Sequence, residues 1–281
     1  MEIDGLNKFI ESALSEDIGD GDHTSLATIP TSLKGKARLL VKQKGIIAGI
    51  DIAEKVFLKL DNDIIFESFM SDGQFVKPGD IAFQINGSVL AILQAERIVL
   101  NIMQRLSGIA TQTREYVDKL QGLKTKILDT RKTTPGMRLL EKYAVKLGGG
   151  ENHRIGLYDM LLIKDNHIDF AEGIKNAIDR AHEYLKLKNK KLKIEIEARS
   201  IDDVKEILIK GGIDRILLDN FTPEETKLAV SIIGGKVDIE SSGNITLENI
   251  RSYAESGVDY ISVGALTHQI KSLDLSLKAF Y

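Results

Sequence analysis

Apolar residues recur along this chain with two different periods, and the change between them divides it. Residues 3–16 place Leu6, Phe9, Ile10, Ala13 and Leu14 on one helical face. Residues 35–43 alternate like a strand, and 64–69 and 81–85 read as two more. Asp72-Gly73 and Lys77-Pro-Gly-Asp80 are turn signals, and a helix at Ile50–Leu60 interrupts the strands. This is the pattern of an α+β piece with a mostly antiparallel sheet, and it carries no catalytic constellation. A long helix is expected from about Ser88 to Leu120. Leu93, Glu96, Arg97, Leu100, Asn101 and Gln104 lie on it at helical spacing, as in a core or interface helix with snorkelling charges. Ser107-Gly108 interrupts that pattern and is expected to mark the passage into a second domain.

From residue 126 onward strand and helix alternate. Strands are expected at 126–128, 160–163, 192–196, 215–218, 236–239 and 260–263, with amphipathic helices at 137–147, 171–187, 201–210, 223–232 and 246–256. Gly148, Gly211, Gly234 and Gly257 stand where C-caps belong. The strands read as apolar on both faces, as buried parallel strands do. No Gly-x-Gly-x-x-Gly follows a strand, which disfavours an open dinucleotide-binding sheet. A closed or nearly closed β/α barrel is the better reading.

Chemistry in such barrels gathers at the C-terminal strand ends. Those ends read Thr130-Arg131-Lys132, Lys164-Asp165-Asn166-His167, Glu197, Asp219-Asn220, Glu240-Ser241-Ser242-Gly243 and Gly264-Ala265. His153-Arg154 adds cations after Gly148-Gly-Gly150, and Thr134-Pro135 reads as the N-cap and first turn of a helix beside Arg131 and Lys132. Clustered Arg and Lys suit carboxylates and phosphates. Glu197 and Asp219 suit Mg²⁺ beside bound phosphates, or sugar hydroxyls. The glycine loops after the last two strands read either as phosphate cradles or as tight turns. Asp20, Asp22 and His23 offer metal-ligand chemistry, but a turn with a helix cap accounts for them better. His167 reads as a cap for the following helix and His182 as solvated; His268 carries no usable signal.

Composition narrows the ligand. The chain has 281 residues, 43% of them hydrophobic, a net charge of −3 and no cysteine. That permits one or two domains and excludes disulfides and thiol chemistry; it fits a reducing cytoplasm. No apolar run reaches the roughly 18 residues of a membrane helix, and the N-terminus lacks a signal-peptide pattern. A pI near 6.0 argues against a general nucleic-acid binder. The positive site is therefore local, and its ligand small and multiply anionic.

Asp129-Thr-Arg-Lys-Thr-Thr-Pro-Gly136, Lys142-Tyr-Ala-Val-Lys146 with Gly148-Gly-Gly150, Asn152-His-Arg154, Leu162-Ile-Lys-Asp-Asn-His167, Leu217-Leu-Asp-Asn-Phe221, Glu240-Ser-Ser-Gly243 and Val263-Gly-Ala-Leu-Thr-His268 resemble, in order, the quinolinate phosphoribosyltransferase (decarboxylating) family, also called nicotinate-nucleotide pyrophosphorylase. Gly19 to Thr24 and Ala95-Glu96-Arg97 extend the likeness over nearly the whole chain. The resemblance implies the conversion of quinolinate and phosphoribosyl pyrophosphate to nicotinate mononucleotide, pyrophosphate and CO₂ with Mg²⁺, for NAD biosynthesis. It implies an N-terminal α/β sandwich at 1–106, joined by the tail 269–281, and an incomplete six-stranded β/α barrel at 107–268. It implies a cytoplasmic homodimer or larger homo-oligomer in which Arg97 is lent to the neighbouring subunit's site. By the same resemblance Arg131, His153, Arg154 and Lys164 hold the quinolinate carboxylates or the phosphates, with Thr130 beside them, and Lys132 contacts a phosphate. Glu197 and Asp219 match acids near the ribose and metal. Ser241, Ser242 and Gly243, with Ser262, Val263 and Gly264, match the ribose-phosphate cradle. The family usually has Glu-Val-Glu-Val where this chain has Glu195-Ile-Glu197-Ala198-Arg199. Strand alternation puts Glu195 and Glu197 on one face; the end-of-strand position favours Glu197, with Glu195 the fallback.

Three rival readings stay open on the sequence: a Schiff-base barrel lyase using Lys164, a binding module without turnover, and a paralogous phosphoribosyltransferase of uncertain substrate associated with molybdate transport operons.

Overall fold

A computed structural model describes residues 5–280 of the chain as two compact units. The first contains the residues up to Arg114, the segment Thr134–Gly149 and the tail from Gln269. The second contains Glu115–Thr133 and Gly150–His268.

The first unit opens with α1 (Leu6–Ile18) and α2 (His23–Thr28). Asp22 accepts the Ser25 N–H at 3.1 Å, so the Asp20–His23 region is a helix cap. Strands β1 (Lys34–Val41), β2 (Gly45–Ile46), β3 (Ile65–Ser68), β4 (Phe75–Val76) and β5 (Ile81–Ser88) follow, with α3 (Ile50–Leu60) between β2 and β3. The sheet is antiparallel, ordered β12-β1-β5-β3, where β12 is the C-terminal strand Leu275–Phe280; β2 and β4 form a separate ribbon. The tail is thus a strand on β1, with Leu39 opposite Leu277. Phe57 from α3 meets Phe83 from β5 edge-on at 6.1 Å, and Phe66 lies 4.5 Å from Phe83.

Helix α4 (Val89–Lys119) runs unbroken through Ser107-Gly108. The expected break is instead a packing site. Ser107 is fully buried and its Oγ accepts the Ala48 N–H at 2.9 Å, while at Gly108 a Cβ would collide with the Lys271 carbonyl. A serine and a glycine here let other backbone come close, within a compact unit that reaches Arg114. Helix α5 (Arg138–Leu147) also belongs to this unit. It starts three residues after Pro135: Thr134 through Met137 form a turn, closed by the Met137 N–H on the Thr134 carbonyl at 3.0 Å. The Thr134 N-cap is therefore corrected. Gly136 at φ +80° breaks the helical path before α5 can begin.

In the second unit six parallel strands form one sheet: β6 (Lys126–Leu128), β7 (Leu161–Ile163), β8 (Ile194–Ala198), β9 (Arg215–Asp219), β10 (Asp238–Ser242) and β11 (Tyr260–Ser262). Their order, β6-β11-β10-β9-β8-β7, is that of a barrel left open between β6 and β7. Helices α6 (Asp165–Phe170), α7 (Ile174–Leu187), α8 (Ile201–Lys210), α9 (Pro223–Ile233), α10 (Ile250–Glu255) and α11 (Ala265–His268) lie between and after the strands. This is the expected six-stranded, incomplete β/α architecture. Asp214 and Asp259 accept the N–H groups of Ile194 and Ile239, at 2.7 and 2.9 Å, at the starts of β8 and β10. Both strands therefore begin two residues later than their apolar runs suggest. That moves Glu197 and Glu240 inside the strands. The open edge of β6 is lined by the loop after α5, with Glu151 N–H donating to the Ile127 carbonyl at 2.8 Å and Asp129 N–H to the Glu151 carbonyl at 3.2 Å.

Candidate active site

The strands are not apolar on both faces, and this corrects the sequence reading. Glu195 and Glu240 are completely buried on β8 and β10. His153, from the loop on the open edge, reaches both: its Nε2 is 2.9 Å from Glu195 Oε2 and 3.4 Å from Glu240 Oε2. Arg215 on β9 reaches Glu240 Oε2 at 2.8 Å and lies 3.9 Å over the Tyr260 ring. Two buried carboxylates are tolerated because the Arg215 guanidinium and the His153 ring meet them. Burial pushes Glu195 up to about 7, aided by the Glu240 charge and opposed by His153. Burial pulls the His153 ring down, but its bonds to Glu195 and Glu240 outweigh that and hold it up to about 9. The Arg154 N–H, however, donates to His153 Nδ1 at 2.7 Å, which a second ring proton would forbid. The short contact decides: the ring proton sits on Nε2, facing Glu195.

Above this layer lie the groups at the strand ends. Lys164 follows β7 and donates through Nζ to Glu197 Oε1 at 2.7 Å; Glu197 Oε2 accepts the Asp165 N–H at 3.1 Å. Glu197 is the acid at the end of the barrel interior and Glu195 the one beneath it. Asp219 ends β9. Burial raises its carboxyl, as do the charges of Glu197 and Asp165, while Lys164 opposes them. Arg154 donates to the Met160 carbonyl at 3.3 Å. Burial and the adjacent Arg131 push its guanidinium below the usual range. The Arg131 Nε–H is buried without a hydrogen-bond partner. Two guanidiniums that disfavour each other, one with an unmet donor, are relieved by an incoming anion.

Thr130 Oγ1 accepts the Lys132 N–H at 3.0 Å, and Thr267 Oγ1 donates to the Lys132 carbonyl at 2.7 Å. The Lys132 side chain crosses Gly264, where a Cβ would stand 3.0 Å from its Cδ. The Val263 N–H is committed to the Leu128 carbonyl at 3.0 Å. Ser262 is buried, and Ser242 and Gly243 are half-buried. Ser241 points to the other face of β10 from Glu240 and Ser242 and is buried, its Oγ without a partner. Gly243, at φ +93°, lies against Asn220, itself at φ +58°, whose N–H donates to the Ser242 carbonyl at 2.9 Å. His167 Nδ1 accepts the Lys164 N–H at 2.9 Å, which is the capping role expected of it. Arg97 is exposed on α4, in the first unit.

The structure thus brings Arg131, Arg154, Lys164, Glu197 and Asp219 into one electrostatic neighbourhood. It places His153 in the barrel interior with its ring nearly buried. Sequence reasoning missed Arg215, Tyr260 and Asp129 as partners of this layer and left Glu240 without a role. The available signal was charge at i and i+2 within β8, since both positions face one side. Among the described residues His153, Glu195 and Glu240 are the one group of three donors close enough to hold an ion. Arg215 already neutralises Glu240 there, and the ring nitrogen facing the acids carries a proton.

An open β/α barrel whose strand ends combine paired guanidiniums, a lysine and two acids defines an enzyme for a small, multiply anionic substrate. The chain matches the family model for the quinolinate phosphoribosyl transferase N-terminal domain over residues 22–107 and the C-terminal domain over 109–278. It is 44% identical to a quinolinate phosphoribosyltransferase [decarboxylating] of Nicotiana tabacum, over 97% of this chain and 82% of that one. It is 42% identical to a probable nicotinate-nucleotide pyrophosphorylase [carboxylating] of Bacillus subtilis, over 97% and 92%. The nicotinate-nucleotide pyrophosphorylase structure from Francisella tularensis superposes with a TM-score of 0.92 at 42% identity, covering 100% of this chain and 98% of that one. NadC from Streptococcus pyogenes gives 0.93 at 36%, covering both chains completely (100% each). The chain belongs to the quinolinate phosphoribosyltransferase family.

Proposed function

We propose that this protein transfers the phosphoribosyl group of phosphoribosyl pyrophosphate to the ring nitrogen of quinolinate, with decarboxylation, in de novo NAD biosynthesis. The carrying observation is the Arg131–Arg154 pair, a receptor for carboxylate oxygens, beside the Lys164–Glu197–Asp219 cluster. Arg131 and Arg154 hold the quinolinate carboxylates and orient its nitrogen toward the ribosyl carbon. The C–O bond to pyrophosphate breaks as the C–N bond forms. Lys132 and Lys164 stabilise charge on the departing pyrophosphate, and Glu197 and Asp219 stabilise the cation-like ribosyl centre. The alkylated pyridinium then takes up the electron pair released when the adjacent carboxylate leaves as CO₂, and the ring carbon takes a proton.

Glu197 and Asp219 are hard oxygen donors whose mutual repulsion a cation relieves, so they fit Mg²⁺. When bound with the substrate phosphates, the ion neutralises pyrophosphate charge. Arg97, exposed on α4, is assigned to the site of a neighbouring subunit in a cytoplasmic homodimer. The ion-paired ammonium of Lys164 counts against the Schiff-base reading, which needs a free amine.

The deciding assay measures CO₂ and pyrophosphate release from quinolinate and, separately, from nicotinate. Release of both products from quinolinate alone is expected. Turnover of nicotinate, which lacks the carboxylate that is lost, would overturn the decarboxylating assignment.

A further inference from the structure

The loop that lines the open edge of β6 starts as a strand would and then departs from one. Glu151 pairs with Leu128 in a single parallel bridge: its N–H donates to the Ile127 carbonyl at 2.8 Å, and its carbonyl accepts the Asp129 N–H at 3.2 Å. In a continued parallel ladder the next bond would run from the His153 N–H to the Asp129 main-chain carbonyl. The Asp129 side chain takes that bond instead, through Oδ1 at 2.9 Å. Its Oδ2 accepts the Asn152 side-chain amide at 2.5 Å. Asp129 is fully buried, so its charge depends on donors placed this closely. A carboxylate offers acceptors only, which suits two donors arriving from one loop.

We propose that Asp129 and Asn152 are positioning residues for quinolinate binding: the pair stitches the segment that carries Arg131 to the segment that carries Arg154, and so sets the spacing of the two guanidiniums. Each arginine stands two residues beyond its own end of the stitch. Two residues span at most about 7 Å, so a slip at the stitch reaches the guanidiniums almost undamped. A carboxylate receptor is sensitive to such a slip, because misplacement by about 1 Å can cost two orders of magnitude in a bound geometry. Taking the bond with a side chain also ends the ladder, which frees the chain after His153 to turn toward the strand ends. Asp129, being fully buried, acts through the arginines and not on the substrate. The proposal rests on the reading above, in which Arg131 and Arg154 hold the quinolinate carboxylates.

The test is calorimetric binding of quinolinate and, separately, of phosphoribosyl pyrophosphate with Mg²⁺ to the full-length Asn152→Asp variant, the double variant Asp129→Asn/Asn152→Asp, and Arg154→Ala. Asn152→Asp sets two carboxylates face to face where one was met by an amide. It is expected to raise the quinolinate Kd about tenfold or more and to leave that of phosphoribosyl pyrophosphate within about twofold. In the double variant the amide and the carboxylate trade places. The amide oxygen at position 129 still accepts the His153 N–H, and its NH₂ group donates to the carboxylate at position 152. The exchange is expected to bring the quinolinate Kd back to within about threefold of wild type, a recovery that two independent losses would not show.

A folded Asn152→Asp protein with unchanged quinolinate affinity, or with both substrates weakened alike, overturns the proposal, as does a folded double variant that recovers nothing. Should Asn152→Asp not fold, Asn152→Ala takes its place, since it removes one donor from Asp129 without adding a charge. The same split between the substrates is expected, and unchanged quinolinate affinity in that variant also overturns the proposal. Arg154→Ala separates the two layers of argument. If it binds quinolinate normally, the carboxylate assignment is wrong and the positioning role falls with it; if it fails while Asn152→Asp binds normally, only the positioning role is wrong.

Discussion

Lys164 Nζ stands 2.7 Å from Glu197 Oε1, a contact between the end of β7 and the neighbouring strand β8. Glu197 is nearly buried, whereas the Lys164 side chain is 47% exposed. The lysine can therefore swing to a substrate, but the acid cannot leave. Removing the lysine leaves a buried carboxylate next to Asp219 with less compensation. Lys164→Ala is expected to lower kcat about 10²-fold or more, the scale for losing one group that stabilises developing charge. Glu197→Gln, which frees the lysine, should reduce kcat with a smaller effect on the KM for phosphoribosyl pyrophosphate. Steady-state kinetics check both; near-normal turnover by Lys164→Ala would remove it from the chemistry.

Arg131 and Arg154 form the second relationship: burial and then the Arg131 charge hold the Arg154 guanidinium below its usual range. Arg131→Ala or Arg154→Ala should weaken quinolinate binding by about 2–4 kcal/mol, as when one partner of a desolvated charged pair is lost. Phosphoribosyl pyrophosphate should be affected far less. Calorimetry with each substrate separates the two. Unchanged quinolinate affinity in both variants would refute the carboxylate assignment.

Glu195 gives a pH prediction. Its carboxyl is raised to about 7 in the folded chain from an ordinary value of 4.5, chiefly by burial. The folded state therefore holds this proton more tightly than the unfolded chain. Its contribution is fully present below the unfolded value and is lost as pH rises through about 7. Melting temperature should fall as pH rises from about 4.5 to about 7, where this group titrates, and Glu195→Gln, always neutral, should flatten that slope. An unaltered slope in the variant would show that Glu195 is not the group responsible.

Gly243 tests the loop after β10. At φ +93° and against Asn220, an alanine Cβ meets both an unfavourable backbone and a collision. Gly243→Ala is expected to cost about 1–3 kcal/mol of stability, with phosphoribosyl pyrophosphate affinity falling more than quinolinate affinity. A stable variant that binds both substrates normally would remove this loop from the phosphate site.

Arg97 tests the shared site. Inactive Arg97→Ala and inactive Lys164→Ala proteins, mixed under conditions of subunit exchange, should regain activity, because one hybrid site keeps both residues. For a dimer mixed in equal amounts the ceiling is about one quarter of wild-type activity, since about half the dimers are hybrids and each has one intact site of two. No recovery after demonstrated exchange would count against a borrowed arginine.

Much of this protein is legible along the chain. The antiparallel unit, the six parallel strands and the charged residues after them follow from local periodicity and from turn and cap chemistry, which neighbouring residues settle between themselves. Ile50–Leu60 and 201–210 stand as read, and Lys164, Glu197 and Asp219 meet where strands in parallel register end together. Other features depend on residues far apart in sequence. Ser107 bonds to Ala48 rather than ending a helix, and Asp214 and Asp259 delay β8 and β10 by two residues. His153, Glu195, Arg215 and Glu240 each look like an ordinary surface charge in their own segments. Only closure of the barrel buries them together, because burying any one charge requires the others to arrive from different strands at the same depth.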